Sequence, residues 1–357
     1  MEPPQLFVSM SDLTLGGGTE SILPSGCAIC PKQEDLHPCP SCVAIRYCSD
    51  HHRKLDRPSH RLICEAIRSC RTDVEEESQR LRQTPESYFN INTGIFWELP
   101  ETTKYLVALA MLVQSFRQIK HKASIELQLT HIVHVLRLGR RDFMGYRYQV
   151  PALMLRLHKD QECYDFLKWW IHKIPSKINI NIRLLSLPSM QNLNLPCVGC
   201  RNENPFEPVN FFSDKIPITT LIPLTLLKIK LLFDLERLEL STSIFGLRLP
   251  AEISILIMEH VPISNAVAGD NGFIASKKAR RTTITRLKEQ IHLLYCEIKD
   301  RNPHFWSAMV YPVHQRESIA ANSLPRTVSE VQTLVRWNYE SWIETPGAIA
   351  VMQNLKG

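Results

Sequence analysis

The chain has 357 residues, 44% hydrophobic and 22% charged, with a formal charge of +6. That is an ordinary globular composition with room for one or two domains, and it argues against a wholly disordered or fibrous chain. No apolar run reaches the roughly eighteen residues a membrane span needs, and a mild basic excess does not by itself imply nucleic acid. Residues 1–26 read as a disordered leader, with Pro3-Pro4, Gly16-Gly17-Gly18 and too few periodic apolar residues for a core.

The next stretch, 27–64, has a different character. It reads Cys27-x2-Cys30, Cys39-x2-Cys42, Cys48-x3-His52 and His60-x3-Cys64. Zn²⁺ takes a tetrahedral shell of thiolates and imidazoles, usually delivered as closely spaced pairs. Two residues between cysteines make a turn that aims both sulfurs at one point. Three residues between ligands put both on one face of a helix, so the last two pairs suit short helices. Eight ligands make two closed sites, which are structural rather than catalytic. His51 and His37 are rival imidazoles, but His51 is one residue out of helical register from Cys48, which favours His52. Eleven cysteines, an odd number, in a chain of this length with no segment that reads as a signal peptide fit a reducing, intracellular compartment, cytoplasmic or nuclear, better than a disulfide framework. Binding two zinc ions through six thiolates would leave the chain at about +4.

The pattern resembles a MYND zinc finger: two C-x2-C knuckles, then Tyr47-Cys48-Ser49, a ligand four residues past that Cys, and His60-x3-Cys64. The resemblance implies interleaved pairs, with Cys27, Cys30, Cys48 and His52 on one zinc and Cys39, Cys42, His60 and Cys64 on the other. It also implies a protein-docking role. The family usually has Cys where His52 stands. Arg53 and Arg57 replace the Gln and Trp that often line a groove for proline-containing peptides.

Beyond the finger, residues 65–100 read as a charged helix, with Ile63, Ala66, Ile67 and Cys70 on its inner side and Pro85 closing it, followed by a linker. A helical region, 101–173, follows. Tyr105, Leu106, Leu109, Leu112, Val113 and Phe116 keep helical period, and so do Ile125, Leu129, Ile132, Val133 and Leu136. Asp160 is expected to cap a segment running through Tyr164, Phe166, Leu167 and Trp170. With Gly145, Arg147, Leu153 and Leu155, the stretch from Met144 to Trp170 resembles a tetratricopeptide helix pair. Residues 174–217 read as an Asn- and Pro-rich connector with room for one short strand, and contain Cys197-x2-Cys200, which has no second pair to complete a metal site.

The C-terminal region, 218–357, is again helical. Lys277-Lys278-Ala279-Arg280-Arg281 opens a long helix; such a run is usually a solvated helix start, the other readings being an import signal or a phosphate patch. Thr327 with Glu330 forms a capping box. The finger together with the segments Asp160–Asp165 and Glu344–Ile349 resembles MYND-type proteins of filamentous fungi. The expected fold is mainly α: a small two-zinc finger followed by a helical bundle or an irregular tetratricopeptide-like stack. The body from Tyr105 onward is expected to fold without the finger.

Three functions fit. The first is a zinc-binding module that docks other proteins or peptides, in transcriptional regulation for example. The second is a nucleic-acid-binding regulator using Arg46, Arg53, Lys54, Arg57, Arg61, Arg68 and Arg71, although Asp50, Asp56 and Glu65 interrupt these and Tyr47 is the one aromatic available for stacking. The third, a methyltransferase with a SET domain, is disfavoured: there is no Asn-His dipeptide and no strand-rich half. G-x-S-x-G, the phosphate-loop pattern and H-E-x-x-H are also absent, so the expectation is no enzyme.

Overall fold

A computed structural model describes residues 23–83, 88–139, 142–173, 199–209, 216–245, 249–268, 272–273, 276–311 and 327–356. Most of the leader, Pro85 and much of the 174–217 connector, including Cys197, lie outside these residues. The protein is mainly α-helical. Its described strands, β1 (His37–Pro38) and β2 (Arg46–Tyr47), pair antiparallel with His37 opposite Tyr47. No helix among the described residues is long and apolar enough to cross a membrane. The described residues form two compact units. One holds those between Ile22 and Leu153; the other holds those between Met154 and Asn179 and from Gly199 to Gly357.

The first unit is built on α1 (Asp50–Arg82), a helix of 33 residues, about 50 Å long at 1.5 Å per residue. Ser49 caps it, its hydroxyl accepting the His52 N–H at 3.3 Å. The short ligand-bearing helices and the charged helix read separately from the sequence are thus one element. Pro58 lies inside it, where it removes one N–H and crowds the preceding turn. Pro58 is exposed, so water can serve the carbonyl left unpaired. Next come α2 (Tyr88–Ile91) and α3 (Pro100–Phe116). Pro100 stands in the first turn of α3, where a missing N–H costs nothing. Buried Thr102 ties that start down, donating to the carbonyls of Phe96 and Leu99.

Helix α4 (Lys122–Leu138) packs against α3. It ends at Gly139, where a Cβ would lie 2.2 Å from Cδ1 of the Trp97 indole, so a side chain there would push that ring away. Ile67 of α1 and Leu112, Phe116 and Ile119 from α3 and its end share one buried cluster with Cys27, Cys39, Cys42, Ala44 and Tyr47 of the finger. The finger and the first body helices therefore have a common core, where the sequence suggested a body independent of the finger from Tyr105 onward.

The second unit surrounds α7 (Ile218–Phe245). Leu224, Leu226, Leu227, Ile229, Leu231, Leu232, Leu235 and Leu238 are all buried, so this helix is enclosed on every side. Packed with it are α6 (Asp160–Lys173), α8 (Ala251–Glu259), α9 (Asn265–Ala268), α10 (Lys277–Arg301), α12 (Val328–Ile343) and α13 (Ala348–Lys356). The short α11 (Phe305–Val310) joins α12 and α13. Helix α5 (Val150–Arg156) covers only 7 residues; from its end, half-buried Arg156 makes a two-pronged ion pair with Glu344 at 2.7 Å.

Several polar residues have roles the sequence did not show. Asp160 is the first residue of α6, and its carboxylate accepts from buried Lys230 at 2.6 Å instead of capping. Lys228 is buried and donates to the carbonyls of Pro205 at 2.6 Å and Glu207 at 3.1 Å; burial brings its ammonium pKa down to about 7. In the 277–281 run, Arg280 is buried, donating to Phe273 O at 2.6 Å and Thr242 at 2.9 Å, while Lys277, Arg280 and Arg281 converge on Glu239. Those cations are anchored on α7, unlike a free basic patch. The Thr327 cap forms as expected, but the Glu330 carboxylate accepts from Asn302 at 2.8 Å.

Candidate metal centre

Each knuckle is shaped by its own backbone. The first closes through Cys27 N–H to Lys32 O at 2.8 Å and is held to β2 by Ala28 N–H to Arg46 O at 3.0 Å. The second closes through Val43 N–H to Cys39 O at 2.9 Å, which puts Val43 in the left-handed region with φ 56°. A β-branched residue is strained there. Helix α1 then supplies His52, His60 and Cys64, while Cys48 stands just before its Ser49 cap rather than on a helix as the spacing suggested.

Four donors meet in each of two places. Cys27, Cys30, Cys48 and His52 form one group, and Cys39, Cys42, His60 and Cys64 the other; within each, the ligand atoms all lie within 4.8 Å of one another. In the first, the Sγ atoms of Cys30 and Cys48 are 3.6 Å apart, and His52 Nδ1 is 3.1 Å from Cys48 Sγ and 3.5 Å from Cys27 Sγ. In the second, the Sγ atoms of Cys39 and Cys64 are 3.6 Å apart, and His60 Nε2 is 3.2 Å from Cys42 Sγ. Donors about 2.0–2.3 Å from a tetrahedral ion stand about 3.3–3.8 Å from one another, so the spacing fits Zn²⁺. It is far beyond the roughly 2.05 Å of a disulfide.

The electrostatics favour a cation. Burial alone would raise the Cys27 thiol, yet the N–H groups of Ile29, Cys48 and Cys30, with His52, bring it down to about 6. Burial pushes Cys42 up, and the charges of Cys39 and Cys64 push it further. Sulfurs crowded this closely repel as thiolates until a divalent ion lies between them. Burial lowers the pKa of His60 and so keeps a ring lone pair free. Three sulfurs and one imidazole make a closed site with no open position for a substrate.

The two groups match the interleaving that the resemblance implied. His51 is exposed, with its ring 5.9 Å from that of His52, and belongs to neither group; nor does the exposed His37 on β1. Cys200 is buried and belongs to neither.

Several supporting residues escaped the sequence reading. Buried Tyr47 donates to Asp56 at 2.6 Å, and its ring stands edge-on to His60. Arg71 donates to Ser41 O in the second knuckle at 2.5 Å. Buried His121 accepts the Ala123 N–H on Nδ1 at 3.1 Å, so its Nε2 carries the proton and donates to Gly26 O at 2.9 Å. The Lys122 N–H donates to Pro24 O at 2.7 Å. The start of α4 thus holds the entry to the first knuckle, across 95 residues of sequence.

Residues 27–64 match the family model of the MYND finger (zf-MYND). No curated protein and no solved structure matches the chain. With two four-donor groups in place, the finger is a two-zinc, non-catalytic module of a type that mediates protein–protein interactions.

Proposed function

We propose that this chain is a docking protein whose zinc-stapled finger presents a surface to other proteins, with Cys27, Cys30, Cys48 and His52 holding one zinc and Cys39, Cys42, His60 and Cys64 the other. The observation that carries the reading is the pair of closed donor groups at tetrahedral spacing. Sites with no open position give zinc a structural task, and what remains for such a finger is recognition. In this reading residues 27–64 are the recognition element, while 101–173 and 218–357 are helical regions that carry it. The protein acts inside the cell, without an enzymatic step, in regulation of the transcriptional kind, and it stands with the fungal-type MYND proteins it resembles.

Panning a random peptide library on the zinc-loaded full-length chain tests this, with the metal-free chain as counter-selection. Docking through the finger predicts peptides enriched on the zinc form alone. Enrichment of none, or equal enrichment on both forms, would contradict it.

A further inference from the structure

The face of the finger that packs against α3 is covered, and the opposite face of α1 is open. Along that open face lie Leu55, 54% exposed, and Leu62, 73% exposed. They are seven residues apart, about 10 Å along the axis and nearly at one azimuth. Exposed Pro58, Ser59 and Ala66 continue the stripe. Lys54, Arg57, Arg61 and Arg68 lie to one side of it, all exposed and without an ion-pair partner among the described residues. Two exposed cations elsewhere do have acids beside them, Arg80 with Glu77 and Arg281 with Glu239.

The acids near the stripe are mostly engaged. Asp50 pairs with Arg53, and Asp56 accepts from Tyr47 and Ser59, leaving Glu65 as the exposed exception. The other acids of α1 (Asp73, Glu75, Glu76 and Glu77) lie toward its far end. The helix therefore carries an apolar ridge bordered by four cations, which outnumber the exposed Glu65 beside them.

Resting on the docking reading above, we infer that this face of α1 binds an acidic amphipathic helix, its apolar side chains seated on Leu55 and Leu62 and its carboxylates facing Lys54, Arg57, Arg61 and Arg68. Leucines gain by leaving water for apolar side chains, whereas a phosphate backbone offers them nothing. The stripe also has no Phe, Tyr or Trp on which a base could stack. A second copy of the chain would bring the same cations face to face.

The test uses the zinc-loaded full-length chain and a fluorescein-labelled helical peptide of about four turns, with two leucines seven residues apart among glutamates. Controls are the same peptide with its leucines changed to serine, and a duplex DNA of similar length. Protein variants are Leu55→Ser with Leu62→Ser, and Lys54→Glu with Arg61→Glu, each checked for helicity and unchanged zinc content. Saturable binding that weakens about ten-fold or more in both variants and with the serine peptide is expected, as is a fall in affinity with salt. Binding indifferent to the leucines would overturn the inference. So would tighter binding of the duplex, or self-association abolished by the same substitutions. Library peptides that need zinc but bind the leucine variant normally would remove this face and leave the docking reading intact. Failure to enrich any zinc-dependent peptide would remove both.

Discussion

His52 offers Nδ1 and His60 offers Nε2 to their respective groups. The difference follows from position. His52 stands in the first turn of α1 close to Cys48, which precedes the cap, so the ring nitrogen nearer the backbone reaches; His60 reaches with the far one. His52→Ala is expected to lose one zinc and His51→Ala to keep both, read as bound zinc in native mass spectra. His52→Cys should retain both, since thiolate serves equally in a closed site. Zinc loss from His51→Ala with retention by His52→Ala would mean that the third pair winds differently. A second residue prediction concerns His131, whose ring stacks on Phe116. Burial first, then His134 and Arg71, bring its pKa down to about 4. In the unfolded chain it titrates near its ordinary value, about 6.5. Between those values the unfolded chain binds more protons, so stability falls as pH drops through that window, by at most about 3 kcal/mol below it. His131→Gln should therefore lose less melting temperature than the parent between neutral pH and pH of about 4.5; equal losses would place the pH sensitivity elsewhere. The donor positions were legible because each pair is encoded within a few residues. Lys228, Lys230, Asp160 and His121 were not, because their partners lie 21 to 95 residues away, and a buried lysine in a helical run looks like a surface one until its carbonyl acceptors are placed.

At the scale of elements, α1 carries the account. Its periodicity was readable, but the ligand spacing suggested short helices and the charged stretch from 65 a further one, where there is one helix containing Pro58. His52 before that proline and His60 and Cys64 after it belong to the two donor groups, a tertiary link that local propensity does not encode. Helices α3 and α4 were legible from their apolar spacing; their common core with the finger was not, because periodicity shows which face is buried and not what buries it. Ile67, fully buried in that core, supplies the test. Ile67→Ala should destabilise the first unit by about 2–5 kcal/mol in denaturant titration, whereas Leu62→Ala, on the open face of the same helix, should change it by less than about 0.5 kcal/mol. Equal effects would show that the finger helix does not pack as described.

At the scale of the whole molecule, zinc has a wider task than holding a loop. A finger of this size has too little core to fold without metal. Here its cysteines and Tyr47 line the same cluster as Leu112, Phe116 and Ile119, and His121 and Lys122 at the start of α4 hold the segment that enters it. Metal binding is therefore coupled to the folding of the first unit. The second unit has its own core around α7, rich in residues from α10, α12 and α13, and none of the zinc donors belongs to it. The measurement that bears most directly on this is amide hydrogen exchange on the full-length chain, zinc-loaded and after chelation. The account predicts that α3 and α4 lose their protection together with α1 when zinc is removed, while α7 and α10 keep theirs. Protection of α3 and α4 unchanged in the metal-free chain would contradict it.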